Sequence, residues 1–186
     1  MEILKIVVFF LLGSFFGVDN VQLGAEKTTV TINPNNKTIS IVQENLFGVI
    51  ENETDSLALL EEIEAIEKGH WTDDLKNFKL KKAKIYLTKT NKINAKIKLK
   101  YKKIEDLNAF GIKLNDKGNY SFIDFPKWNY ATKDGEKTEH HWVFGADKPF
   151  TFTVSPMEDM PEKYKPYIKD LLPIWKRLKN DQTIKL

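Results

Sequence analysis

Cysteine is absent from this chain of 186 residues, and arginine occurs once, at Arg177. The absence of cysteine excludes disulfides, thiolate metal sites, cysteine nucleophiles and the lipid-accepting cysteine of a bacterial lipoprotein. The sequence also has no glycine-rich phosphate loop and no G-x-S-x-G segment, so the signatures of P-loop nucleotide binding and of an α/β-hydrolase serine are missing. An ordinary apolar core must therefore hold the fold together.

The overall charge is nearly balanced. The chain has 29 basic and 26 acidic residues, a formal net charge of +3, and 41% hydrophobic residues. A net charge this small does not by itself indicate a polyanionic partner, so any electrostatic argument depends on where the charges lie. The length and the apolar content are typical of one globular domain.

The N-terminal residues predict an export signal. Lys5 precedes a mostly apolar run over residues 6–16, which is the arrangement of a secretory signal and is shorter than the roughly 20 apolar residues of a membrane-spanning helix. Ala25 suits the position before a cleavage site, so we expect removal of residues 1–25 and one domain over 26–186. The mature protein would then lie in the periplasm, on the cell surface or outside the cell, without a transmembrane helix. An uncleaved anchor and a buried N-terminal element are the alternatives.

Short alternating runs predict antiparallel strands along much of the chain. The runs TVTI and TISI, on either side of the turn sequence NPNN, predict one hairpin. The stretch FKLKKAKIYLTKTNKINAKIKLKYKK, residues 78–103, predicts a second hairpin around TKTNK. A third hairpin is predicted in EHHWVFGADKPFTFTV, residues 139–154.

Two helices are predicted to cover the apolar face of the sheet. Apolar residues at helical spacing predict a helix over 55–68, capped by Thr54 or Asp55. Its acidic side chains are expected to face water: Glu61, Glu62, Glu64 and Glu67. A C-terminal apolar stripe predicts a second helix, kinked by Pro166 and Pro173. The predicted fold class is α+β, a mostly antiparallel twisted sheet with one amphipathic helix and a kinked C-terminal helix packed on one face.

The layout of the first half resembles that of small exported proteins in bacteria. The hairpin TVTINPNNKTISI, a helix, further strands and the segment YKKIEDLNAFGIKLN are similar in order to lipoprotein-like α+β domains. The abundance of Lys, Asn and Ile resembles exported proteins of Bacteroidetes-type bacteria. The chain departs from lipoproteins because it has no cysteine to carry a lipid. The resemblance implies an envelope location and no specific activity or site residue.

A lysine-rich hairpin is the main candidate binding feature. Residues 75–104 contain twelve lysines and no acidic residue. Alternation places six of them on one face: Lys82, Lys84, Lys96, Lys98, Lys100 and Lys102. Such a face could bind sulfated glycans, lipopolysaccharide phosphates or extracellular nucleic acid. The alternative is the solvated side of an exposed sheet, partly neutralised by the acidic helix.

Two aromatic residues are the second candidate. Trp128 and Tyr130 lie in the loop-like segment FPKWNYATKDGE, where exposed rings could stack on a sugar or fill a pocket of a partner. Packing in the core is the alternative, because large aromatic residues dominate small cores.

The titratable residues do not form a recognisable catalytic or metal set. On a strand, His140 and His141 would face opposite sides, and the pairing of Glu139 with His141 gives an incomplete ligand set. The carboxylate pairs at 73–74 and 158–159 lie where caps and turns use them. The sequence therefore predicts no catalytic residue, metal or cofactor.

These patterns favour an exported, non-enzymatic extracytoplasmic domain with a binding or structural role in the cell envelope. A polyanion-binding protein that uses the lysine face is the alternative, and an uncharacterised hydrolase is the third. The predicted partner is an anionic polymer or an envelope protein, and no specific nucleic-acid motif occurs.

Overall fold

A computed structural model describes residues 23–70, 75–124, 129–155, 157 and 162–184. The elements in chain order are β1 (Leu23–Asn33), β2 (Thr38–Val49), α1 (Glu53–Lys68), β3 (Leu80–Leu87), β4 (Ile93–Lys100), a 3-10 helix (Ile104–Phe110), β5 (Lys113–Leu114), β6 (Tyr120–Ile123), β7 (Gly135–Lys137), β8 (His141–Phe144), β9 (Phe150–Val154), a second 3-10 helix (Glu162–Tyr167), β10 (Ile168–Asp170) and α2 (Leu171–Ile184). The predicted α+β class is confirmed. Within the described part of the chain, no helix combines the length and the apolarity that crossing a membrane requires.

The main sheet has the strand order β3-β4-β2-β1-β9, and β10 pairs with the end of β2. All of its pairings are antiparallel. The two predicted hairpins β1–β2 and β3–β4 are confirmed, although β1 and β2 extend further than their alternating runs. On β4, Ile97 and Leu99 are completely buried, while the alternating residues Lys96, Lys98 and Lys100 are exposed. The sheet therefore has a buried inner face and a polar outer face.

A second, smaller sheet packs on the inner face with the order β5-β6-β8-β7. Its Phe122 ring lies 4.7 Å from that of Phe152, and its Phe144 stacks on Phe150 at 4.4 Å. The predicted hairpin over 139–154 is wrong, because β8 belongs to the small sheet and β9 to the main sheet. The two strands pack face to face through their aromatic residues instead of sharing backbone hydrogen bonds.

Helix α1 begins earlier than predicted. Asn52 is its N-cap, and its Oδ1 accepts a hydrogen bond from the Asp55 amide at 3.1 Å. The prediction of Thr54 or Asp55 as the cap is therefore wrong by two or three residues. Gly69 ends the helix with φ of 69°, a left-handed conformation that glycine adopts without strain.

Glu62 on α1 is buried, against the prediction that it faces water. Its exposed fraction is 0%, and its Oε2 accepts a hydrogen bond from the Leu23 amide at 3.0 Å. Leu23 and Ala25 are themselves buried and pair with the end of β2. A cut after Ala25 would therefore remove the first three residues of β1.

The outer face of β2 is partly exposed before Asn45 and is covered by other residues after it. Asn45 has φ of 54°, and the inward side of β2 changes there from odd to even residues. Beyond it, Phe47 and Val49 form a small apolar cluster with Met157 and Ile168.

The C-terminal segment is not the single kinked helix that the sequence predicts, but a 3-10 helix, a short strand and an α-helix. Pro166 lies in the second 3-10 helix, which is followed by β10, and Pro173 lies in the first turn of α2. The first turn of a helix tolerates proline because its amides have no intrahelical acceptor.

Candidate functional site

The outer face of the β3–β4 hairpin carries five lysines, here called the lysine face: Lys82, Lys84, Lys96, Lys98 and Lys100. The register places Lys82 directly opposite Lys98 and Lys84 directly opposite Lys96. Strands lie about 4.8 Å apart, and alternate residues of one strand are about 6.7 Å apart. The five lysine side chains therefore project from neighbouring positions on two adjacent strands.

The acidic helix does not neutralise this face. Leu59 and Ile63 of α1 pack in the same apolar cluster as Ile97 and Leu99, so the helix lies against the inner side of the sheet. The lysines alternate with those buried residues and point to the outer side. The helix therefore lies on the opposite side of the sheet from the lysines, against the alternative that it partly neutralises them.

Among the residues that the structure describes, no carboxylate forms an ion pair with the lysine face. Glu44 lies on the outer side of β2, beyond the rows of lysines, and its Oε2 is 3.7 Å from the Lys27 Nζ. The Lys27–Glu44 ion pair therefore lies beside the lysine face and does not neutralise its positive charge.

The alternation also predicts Lys102 on this face, but the residue is not part of β4. It lies two residues beyond the end of β4, where its amide donates a hydrogen bond to Asp106 Oδ2 at 2.9 Å. Its carbonyl oxygen accepts a hydrogen bond from Lys37 Nζ at 3.1 Å. The chain has already turned towards the first 3-10 helix at this point.

Tyr130, the aromatic candidate that the structure describes, does not lie on the lysine face. Trp128 lies outside the described residues. Tyr130 packs against Phe122, with ring centroids 5.0 Å apart, and against Phe152 at 6.1 Å. Most of its ring is therefore part of the core between the two sheets.

A polar cluster on the small sheet was not predicted from the sequence. The Asp124 carboxylate accepts hydrogen bonds from Trp142 Nε1 at 2.9 Å and from Lys137 Nζ at 2.7 Å. The Lys137 ammonium also lies 5.8 Å from the centre of the Trp142 ring. These three residues come from three strands or strand ends of the small sheet, so the cluster ties that sheet together.

The pKa values of Asp124, Tyr130 and Tyr101 are perturbed. Burial favours the neutral form of Asp124, but the hydrogen bonds from Lys137 and Trp142 outweigh it and lower the pKa of the carboxyl group. Burial raises the pKa of Tyr130, and the Asp124 charge adds to this effect. The pKa of Tyr101 is raised by burial and by Tyr120. Both shifts favour the protonated phenol.

The histidines are on the surface and do not converge. His140 Nε2 lies 3.6 Å from Glu139 Oε1, and both side chains are mostly exposed. His141 begins β8, whereas Glu139 and His140 precede the strand. In the part of the chain that the structure describes, no group of three or more His, Cys, Asp or Glu residues could hold a metal ion. The carboxylate pairs at 73–74 and 158–159, which the sequence predicts at caps and turns, lie outside the described residues.

A cleft of about 330 Å³ lies between the two helices. Its described lining combines Leu57, Leu60 and Leu178 with Glu53, Ser56 and Arg177. The described lining includes one carboxylate, whereas glycoside cleavage needs two carboxyl groups. The lysine face is therefore the stronger candidate site.

Comparison of the chain with protein-family models, with curated proteins and with solved structures finds no match.

The opposed lysines lead to a prediction about stability. Lys98→Gln should stabilise the protein at low salt by about 0.2–0.5 kcal/mol, because like charges directly opposite each other repel and solvent screens exposed pairs. The gain should disappear at high salt. Urea unfolding at two salt concentrations measures it, with Lys113→Gln as the control, since Lys113 lies opposite Ser121. Equal effects of both substitutions would contradict the argument.

The Asp124 cluster leads to a prediction about pH. The pKa of Asp124 is lower in the folded protein than the value of about 3.9 for an unfolded Asp. Its ionised form therefore stabilises the protein above about pH 4, and this contribution is lost as pH falls through the folded pKa. Asp124→Asn should cost about 1 kcal/mol at pH 6 and much less at pH 2.5.

Urea unfolding at the two pH values tests this, with Asp116→Asn in an exposed turn as the control. A cost for Asp124→Asn that stays constant across the pH range would show that the carboxylate charge does not stabilise the fold.

Proposed function

We propose that this chain is an exported, non-enzymatic binding protein of the cell envelope, and that its lysine face binds an anionic polymer. The observation that carries the proposal is the pairing of Lys82 with Lys98 and of Lys84 with Lys96 across two neighbouring strands. Such pairs destabilise a sheet. A negatively charged ligand would remove this repulsion on binding.

Solubility alone is a weaker explanation of the lysine face. An exposed antiparallel sheet also stays soluble when lysines alternate with glutamates across the strands, and such pairs attract each other. Lysines on an edge strand discourage pairing with other chains, and β3 is an edge strand. However, β4 lies between β3 and β2, so its lysines have no edge to protect.

The electrostatics also favour an extended ligand over a small ion. The five ammonium groups are spread over two strands and are exposed to solvent. Each contact is therefore weak and screened by salt, and useful affinity requires several contacts at once. A polymer with many negative charges meets this requirement.

Export is the second part of the proposal, and it rests on the apolar run over residues 6–16. The burial of Leu23 and Ala25 in β1 favours a cleavage site before Leu23, upstream of the predicted one. The intact mass of the protein recovered from a bacterial host that exports it should then include residues 23–25. A mature chain that begins at Glu26 would contradict this placement.

Binding to heparin tests the function directly. The triple variant Lys96→Gln, Lys98→Gln, Lys100→Gln should bind an immobilised heparin column more weakly and elute at lower salt. Each lost contact should reduce the slope of log affinity against log salt by roughly 0.7–0.9, by analogy with phosphate contacts, so by about 2 to 3 in total. Isothermal titration calorimetry with soluble heparin at several salt concentrations measures the slope.

A matched control variant removes the same number of positive charges at positions outside the lysine face. The variant Lys113→Gln, Lys117→Gln, Lys148→Gln removes three exposed lysines outside the lysine face. It should retain most of the affinity and most of the salt slope. If both triple variants lose the same affinity, attraction by the overall charge explains the binding and the lysine face is not a site.

A further inference from the structure

The outer face of the main sheet continues beyond the lysines as rows of hydroxyl groups. The register places Lys98 opposite Ser40 on β2, Ser40 opposite Thr31 on β1, and Thr31 opposite Thr151 on β9. Lys82 on β3 lies opposite Lys98 and completes the row. The row thus crosses five strands and contains two ammonium groups and three hydroxyl groups. At about 4.8 Å between strands, this row is about 19 Å long.

The hydroxyl groups in this row lie on the same side as the lysines. Thr31 and Thr151 share a hydrogen bond of 3.0 Å between their Oγ1 atoms, and both side chains are partly exposed. A neighbouring row has two lysines and two threonines, with the apolar Val42 between them: Lys84, Lys96, Val42, Thr29 and Thr153. The charge is thus concentrated at one side of the sheet, and neutral hydrogen-bonding groups occupy the other side.

The geometry points to an anionic polysaccharide as the ligand, lying across the strands with its charged groups on the lysine face and its sugar hydroxyls on the serine and threonine side chains. This inference rests on the proposed function and adds the class of polymer. Serine and threonine hydroxyls both donate and accept hydrogen bonds, so they suit sugar hydroxyls, which do the same. A purely ionic polymer would use only the lysine half of each row.

The composition of the face favours a glycan over a nucleic acid. Proteins that bind single-stranded nucleic acid combine positive charge with aromatic side chains on which the bases stack. Among the outward residues of β3 and β4, Tyr86 is the one aromatic, and Arg177, the single arginine of the chain, lies on α2. Arginine is also the side chain that binds phosphate in a bidentate manner.

The test separates the hydroxyl groups from the lysines. The variant Thr31→Val, Ser40→Ala, Thr151→Val removes three hydroxyls without changing the charge, and valine is well suited to a strand. Because both partners of the Thr31–Thr151 hydrogen bond are replaced, no polar group is left unpaired. Affinities for a heparin oligosaccharide, for inorganic polyphosphate and for oligothymidylate of similar charge are measured by calorimetry. Circular dichroism verifies folding, and the single variant Ser40→Ala, which adds no bulk, serves if the triple variant is unstable.

The expected result is about a tenfold loss of heparin affinity in the hydroxyl variant, since each net hydrogen bond contributes modestly, with polyphosphate affinity unchanged. The lysine variant described above should lose affinity for both ligands. If only the lysine variant loses heparin affinity, the polysaccharide inference is overturned and the proposed function stands. If the lysine variant binds both ligands like the original protein, the proposed function itself fails. Tighter binding of oligothymidylate than of heparin would replace the glycan with a nucleic acid.

Discussion

The register of β4 between β3 and β2 is the constraint on which the rest of the structure depends. Ile97 lies opposite Ile41 on one side and Ala83 on the other, and these pairs build the inner face against α1 and the small sheet. Side chains alternate with a period of two, so the same register fixes which lysines point outward. A slip by one residue would bury lysines and expose the core. Core and candidate site are therefore two sides of one pairing.

The two faces of the sheet have opposite energetics. The inner face is covered twice, by α1 through Leu59 and Ile63 and by the small sheet through its aromatic residues. The outer face of β3 and β4 keeps two like-charged pairs at a cost in stability. Natural proteins commonly retain such a cost where a site needs it. The outer face therefore changes from charged lysines on β3 and β4 to neutral hydroxyl groups on β2, β1 and β9.

Alternation in the sequence predicted the β1–β2 and β3–β4 hairpins, because each run lies next to its partner and a turn of Asn, Pro or Lys residues joins them. The same rule was wrong for residues 139–154, since alternation identifies a strand but not its partner. Phe144 and Phe150 stack across two sheets instead. Local spacing also missed the burial of Glu62, whose partner Leu23 is 39 residues away. All five residues of the lysine face were predictable, and the hydroxyl rows were not, because they require the register of four pairings.

Nuclear magnetic resonance of the labelled protein, titrated with a short heparin oligosaccharide, tests the central claim most directly. Binding at the lysine face predicts that chemical-shift changes concentrate on the outward residues of β3, β4 and β2, with Lys96 and Lys98 among the most affected. Changes that concentrate on the Asp124 cluster of the small sheet, or on the cleft between α1 and α2, would contradict it.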